Sequence, residues 1–154
     1  MTKQTTSFVY VTYIRATPEK VFEAITKPEL ARRYWGHENV SDWKAGSQWQ
    51  HVRDNEARTV ELIGNVIEVT PPKRLVISWA NASQAADPAS HSRVTFDVEE
   101  YDNMVRLTVT HDDLEVGSGM FNGVSQGWPA VLSSLKSFLE TGSGIDLFAK
   151  PKAA

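Results

Sequence analysis

The hydrophobic pattern changes its period several times along the chain. Ser7 to Arg15 (SFVYVTYIR) is rich in β-branched and aromatic residues and predicts a strand. Thr17-Pro18-Glu19 has the form of a helix start, with Thr17 as N-cap and proline at the first helical position. Val21, Phe22, Ala24 and Ile25 make the apolar face of that short helix, and Lys27-Pro28 breaks it. A second short helix is expected from Pro28 to Tyr34, ending near Trp35 with Gly36 as its cap. Val40 to Trp43 reads as a weak strand, Lys44 to Ser47 as a turn, and Gln48 to Arg53 alternates. Thr59 to Thr70 is a long strand in which Gly64 predicts a bulge or sharp bend. Pro71-Pro72-Lys73 is a turn before the strand Arg74 to Ala80. Asn81 to Ser90 is small and polar, hence a loop and the expected mobile segment. His91 to Glu100 and Met104 to His111 pair as a hairpin.

The period then lengthens. Phe121, Val124, Trp128, Val131, Leu132, Leu135, Phe138 and Leu139 recur at helical spacing, which predicts one amphipathic helix from about Gly117 to Glu140. Gly127 and Pro129 fall inside it and call for a bend or a restart. The order is strand, two short helices, strands with short turns, long helix. That order predicts an α+β fold, a strongly curved antiparallel sheet of about six to seven strands. The sheet wraps round the long C-terminal helix, and the two short helices follow the first strand. Residues 1–142 form a single domain in this reading, and residues 143–154 a loosely held tail in which Ile145, Leu147 and Phe148 could dock.

Composition narrows the function. The chain has 154 residues, a net charge of −3 and no cysteine. A mildly acidic chain without a basic run argues against nucleic acid as a partner. Absence of cysteine removes disulfides and thiol nucleophiles. No apolar run reaches the length of a membrane span, and the first residues lack the apolar core of a signal peptide, so the expected compartment is the cytoplasm. Without export, the glycosylation-like triplets at Asn39 and Asn81 carry little meaning. No P-loop, dinucleotide fingerprint or nucleophile elbow is present, and His37, His51, His91 and His111 lack metal-ligand spacing. No cofactor or metal is expected.

Strand alternation sorts the remaining candidates. Leu107, Val109 and His111 share a face, so His111 points inward with the apolar side. It could anchor a ligand or act as a general acid or base; equally it could be a hydrogen-bonded core histidine. Trp49, His51 and Arg53 share a face that is either concave, lining a cavity, or convex and solvated. Leu75, Ile77 and Trp79 are expected inward. Trp43 has no assignable face. Buried indoles need a partner for their N–H, which favours cavity edges. Trp35, Trp49, His51, Trp79, His111, Phe121 and Trp128 are the candidate ligand-lining residues. None is expected to be catalytic.

Four stretches in order, IRATPEKVFEAITKPELARRYWG, GNVIEVTPPKRLVISW, RLTVTHDD and GWPAVLSSLKSFLE, carry a resemblance over Ser7 to Gly142. The chain resembles the helix-grip (START-like, birch-pollen-allergen-like, SRPBCC) superfamily. It is most similar to the branch named after the C-terminal domain of the activator of the heat-shock-protein-90 ATPase. The resemblance implies a cavity between sheet and long helix, with His111 at the "T-H" position beside it. Relatives include lipid and polyketide binders, cyclases, a self-sacrifice resistance protein and co-chaperones. The leading expectation is non-catalytic binding of a small, largely apolar ligand, lipid-like or aromatic. The alternatives are a protein-interaction module serving a chaperone, and a cyclase or hydrolase using His111, His51 or Arg53. The eukaryotic co-chaperone has a separate N-terminal domain, while this sequence opens on the first strand. Dimers are common in the branch, so a homodimer is a further expectation.

Overall fold

The computed structural model describes residues 4–145. Its elements are β1 (Thr5–Ile14), α1 (Pro18–Thr26), α2 (Pro28–Trp35), β2 (His37–Val40), β3 (Gln48–Arg53), β4 (Val60–Thr70), β5 (Arg74–Asn81), β6 (Ser92–Tyr101), β7 (Met104–Glu115) and α3 (Gly119–Thr141). The strands form one antiparallel sheet in the order β1-β7-β6-β5-β4-β3-β2. The sheet curves, and α3 lies across its concave face. Val131, Leu132, Leu135 and Phe138 of α3 enter the same core as Leu107 and Val109 of β7 and Val94 and Phe96 of β6. The expected α+β architecture is the one the chain adopts.

Local chemistry explains the boundaries. Thr17 caps α1 by accepting from the Lys20 amide at 3.3 Å. Gly36 closes α2 at φ 71°, a conformation that costs glycine little. Ser118 caps α3 by accepting from the Phe121 amide at 3.1 Å. α3 runs on through Pro129 as a single helix, and the missing proline N–H leaves the Ser125 carbonyl without its usual partner.

Several expectations are corrected. The second strand is His37–Val40, not Val40 to Trp43. The left-handed cap at Gly36 turns the chain directly from α2 into β2, and Trp43 leaves the sheet at φ 58°. The Trp43 indole N–H then donates to the Thr26 carbonyl at 2.8 Å. β4 is not broken at Gly64. Its extra residues are Glu61 and Ile67, where the register with β3 and β5 slips. Gly64 instead makes room: an added Cβ would lie 1.9 Å from the Ser78 carbonyl oxygen and 2.7 Å from Trp49 Nε1. The segment after β5 contains two short 3-10 turns, Ala82–Gln84 and Pro88–Ser90, the second capped by Asp87.

Within the expected tail, Ile145 hydrogen-bonds to α3. The Ile145 amide donates to Ser134 Oγ at 2.8 Å, and that hydroxyl donates to the Tyr34 carbonyl at 2.7 Å. Leu147 and Phe148 lie outside the described residues. Among the described residues no helix is long and apolar enough to cross a membrane.

Candidate functional site

Beneath α3 the sheet presents a cluster of aromatic and imidazole rings. Trp35 at the end of α2, Trp49 and His51 of β3, Trp79 of β5, His111 of β7 and Trp128 of α3 meet there. Trp128 lies 5.6 Å from Trp35 and 5.4 Å from Trp79 between ring centroids, with Trp79 5.4 Å from both Trp49 and His111. His51 lies 4.6 Å from Trp35. These rings occupy the space expected as a cavity, and all six side chains are buried. Phe121, the remaining candidate, stands apart, half-buried at the first turn of α3.

His111 is fully buried and uses both ring nitrogens. The Trp128 indole N–H donates to Nδ1 at 3.1 Å. An indole can only donate, so Nδ1 is the bare nitrogen and Nε2 carries the hydrogen. Nε2 then donates to Ser92 Oγ at 2.7 Å, and the Ser92 hydroxyl donates to the Trp79 carbonyl at 3.2 Å. One directed chain of hydrogen bonds thus ties α3 to β7, β6 and β5. Burial is the main cause that lowers the His111 pKa to about 4, with the nearby Asp112 acting weakly against it. A serine beside a histidine invites comparison with a nucleophile and its base. Here the polarity is reversed, because the nitrogen facing Ser92 already holds a proton.

His51 belongs to a second polar group. The Asn39 amide nitrogen donates to the Ile25 carbonyl at 2.9 Å, so its oxygen faces His51. His51 Nδ1 donates to that oxygen at 2.7 Å. The ring of His37 stacks on His51 at 4.5 Å and 6°. His37 Nδ1 lies 3.1 Å from the Trp35 carbonyl and Nε2 2.9 Å from Glu61 Oε2. Burial, then the charge of His37, pushes the His51 pKa well below its usual value. Glu38 sits beside this group, buried between Arg32 at 2.6 Å and Arg58 at 2.7 Å. Burial alone would raise its pKa, but the hydrogen bonds and charges of Arg58 and Arg32 outweigh that and lower it.

The row Trp49, His51, Arg53 is only partly kept. Trp49 and His51 face inward, but Arg53 is exposed and pairs with Glu61 at 2.5 Å. Arg53 keeps its register opposite His37 and reaches the same Glu61, but as the last residue of β3 it lies at the rim in solvent. Sequence reasoning missed His37, Asn39 and Ser92. Ser92 could have been found from the hairpin, because Val94 lies opposite His111 and Ser92 shares its face. His37 and Asn39 gave no such signal while β2 was misplaced.

Two indole N–H groups show how the cluster is satisfied. Trp49 Nε1 crosses Gly64 to donate to the Ser78 carbonyl at 2.7 Å. Trp79 Nε1 is buried and has no partner among the described residues. A depression of about 350 Å³ opens at one end of the cluster, where β5, the turns after it, β7 and the start of α3 meet. Asn81, Gln84, Ser92, Asp113, Leu114 and Met120 are among its walls. Ser92 is therefore both a wall of this depression and the outer link of the His111 chain. A larger groove of about 690 Å³ runs outside the grip, past Pro18, Pro72 and Glu100, and touches none of the rings. Among the described residues no three metal-binding side chains gather.

This geometry agrees with the sequence of a known family. The family described as "Activator of Hsp90 ATPase homolog 1-like protein" matches residues 15–140. The chain belongs to this family. Solved structures share its fold. The Aha1 dimer from Colwellia psychrerythraea is 22% identical, with 90% of this chain and 99% of that one covered at a TM-score of 0.75. CalU16 from Micromonospora echinospora is 22% identical, with 88% and 77% covered at 0.68. An Hsp90 activator from Plasmodium falciparum is 22% identical, with 79% and 86% covered at 0.64. At these identities the likeness establishes the fold of this Hsp90-activator-like chain. No curated protein matches it.

Proposed function

We propose that the protein binds a small ligand without transforming it, at the depression walled by Ser92. The observation that carries this reading is the double position of Ser92, open to the depression and bonded to buried His111. The one lone pair left on the Ser92 hydroxyl can accept from a ligand O–H or N–H, while Met120 receives apolar atoms. The unpartnered Trp79 N–H supports the reading, because a deeper ligand oxygen would satisfy it. A depression of about 350 Å³ suits a small molecule at the lower end of ligand-site sizes. The ligand class we infer is a small aromatic molecule with a polar, hydrogen-donating end, because Asn81, Gln84, Ser92, Asp113 and Glu115 make most of the lining polar. His111 is unsuited to act as a base, being held as the tautomer that donates toward Ser92.

The test is native mass spectrometry of freshly purified protein before and after solvent extraction, followed by titration of extracted protein with aromatic and fatty acids. A stoichiometric adduct that extraction removes, or saturable quenching of tryptophan fluorescence weakened by Ser92→Val, is expected. A clean mass with no response to either ligand class defeats the reading.

A second reading, a protein-interaction module serving a chaperone, draws support from the family and from exposed Val9, Val11 and Tyr101 outside the grip. Binding to the host's own heat-shock-protein-90 homologue in a pull-down would favour it. Failure to bind or stimulate that ATPase would remove it.

A further inference from the structure

The hairpin of β6 and β7 outruns the rest of the sheet at one end. β5 begins at Arg74, opposite Asp97, while β6 continues through Val98, Glu99 and Glu100 to Tyr101. Lys73, just before β5, accepts from the Val98 amide at 2.8 Å, but its own amide turns away to the Thr70 carbonyl at 2.7 Å. Tyr101 and Met104 close the hairpin across Asp102 and Asn103, both at positive φ, so the backbone groups of Tyr101 point to β7. Those of Glu100, one residue back, point the other way, past the start of β5. The Val98 carbonyl and the amide and carbonyl of Glu100 are therefore without a strand partner among the described residues.

This stretch of edge borders the groove of about 690 Å³ outside the grip. Pro18, Pro72 and Val98 give the groove apolar walls. Its charge is acidic, because Glu19, Glu68, Asp97, Glu99 and Glu100 line it against Lys73 and Arg74. Arg74 bridges Glu68 at 3.2 Å and Asp97 at 3.1 Å, and Arg106 pairs with Glu99 at 3.1 Å. Glu19 and Glu100 have no ion pair among the described residues. Strand alternation sets Asp97 and Glu99 on the outer side of β6, and Glu100 on the inner side with Val98.

We propose that this groove binds an extended, basic segment of a partner protein, laid along β6 beyond Asp97 as a short added strand. The bare strand edge calls for a peptide backbone: one residue of the segment exchanges N–H and C=O bonds with Glu100. The lining calls for lysine or arginine. Side chains of an added strand alternate in direction. One basic residue then meets Asp97 and Glu99 on the outer side, and the next meets Glu100 and Glu19 on the inner side. Their aliphatic stems lie against Pro18 and Pro72. A small cation would match the charge but leave the strand edge bare. An acidic strand would match the edge but set like charges against Glu19 and Glu100. The groove shares no wall with the Ser92 depression, so peptide binding here is independent of the small ligand.

Nuclear magnetic resonance titration of the full chain with a panel of capped pentapeptides, each carrying adjacent lysine or arginine residues, tests this. The same peptides with glutamate in place of the cations, and spermine, serve as controls. The basic peptides should shift the amides of Val98 to Tyr101 saturably and slow hydrogen exchange at the Glu100 amide. Added salt should weaken them. Glu100→Gln and Glu19→Gln should each weaken binding about threefold, the scale of one exposed ion pair, with an unchanged circular dichroism spectrum. A panel in which no basic peptide binds overturns the proposal, as does equal binding of the glutamate peptides. Spermine reproducing the shifts, while the Glu100 amide exchanges at its free rate under every peptide, would reduce the effect to charge attraction and equally overturn it.

Discussion

The indole N–H of Trp128 donates to Nδ1 of His111 across the boundary between helix and sheet, at 3.1 Å. That bond fixes the tautomer of the histidine and, through Ser92, the direction of every hydrogen bond behind it. Trp128→Phe keeps most of the ring but removes the donor. Trp79→Phe removes a similar volume but a donor that has no partner among the described residues. Loss of volume costs both variants stability. Only Trp128→Phe also strands a buried acceptor, so it should be less stable than Trp79→Phe by about 1–3 kcal/mol. Urea denaturation of the two variants measures the difference; equal midpoints would mean that the bond contributes nothing net.

Burial lowers the His111 pKa to about 4, from 6.5 in the unfolded chain. Between these values the unfolded state binds more protons than the folded state, so acid favours unfolding. The stability linked to His111 is complete above about pH 6.5, falls as pH drops, and levels off below about pH 4. The full difference is about 3 kcal/mol. His51 is shifted in the same direction and adds to the slope. His111→Gln should be less stable than the native chain near neutrality, yet lose less on acidification. Urea midpoints at about pH 7 and about pH 4.5 separate the two effects. Parallel curves for variant and native chain would show that His111 is not the titrating group.

These two cases also show what the sequence discloses. The periods of SFVYVTYIR and of the Phe121 to Leu139 stripe were enough to place sheet and helix, because burial of one face forces those periods. The inward side of His111 followed from Leu107 and Val109 by the same logic. The partners of the histidine were less accessible. Trp128, Ser92 and Trp79 come from three different elements, and their meeting depends on register and on the height of α3 above the sheet. The exposure of Arg53 was hidden for a related reason: alternation gives its face, but not that β3 ends there, at the rim beside Glu61. Nor does pattern alone say how fully side chains fill the grip. Four large indoles signal a cavity lining and a cavity filling equally well.

Gly64 offers a sharper test of the packing. Its hydrogen atom faces the Ser78 carbonyl, and the Trp49 indole crosses above it to the same oxygen. Gly64→Ala places a methyl group where backbone already stands. β4 and β5 must separate locally, or the indole must give up its 2.7 Å bond. The expected loss is about 3 kcal/mol, at the upper end for overpacking. Near-ultraviolet circular dichroism should change with it, because Trp49 changes surroundings. A variant with unaltered stability and spectrum would show that the two strands are further apart than this contact requires.

Ser134 tests the far end of α3. Its hydroxyl is fully buried, donates to the Tyr34 carbonyl and accepts from the Ile145 amide. One oxygen thus clamps α2, α3 and the segment after Gly142. An alanine there leaves a buried carbonyl and an amide without their partner, at a cost of about 1–3 kcal/mol. Gly144 fits the same clamp, since an added Cβ would lie 2.8 Å from the Arg33 carbonyl oxygen. Ser134→Ala should therefore speed exchange of the Ile145 amide and expose the chain after Gly142 to protease, with the sheet amides unaffected. If Ile145 exchanges at the native rate in the variant, close packing around Gly144 rather than the hydroxyl holds the segment, and Gly144→Ala becomes the change that releases it.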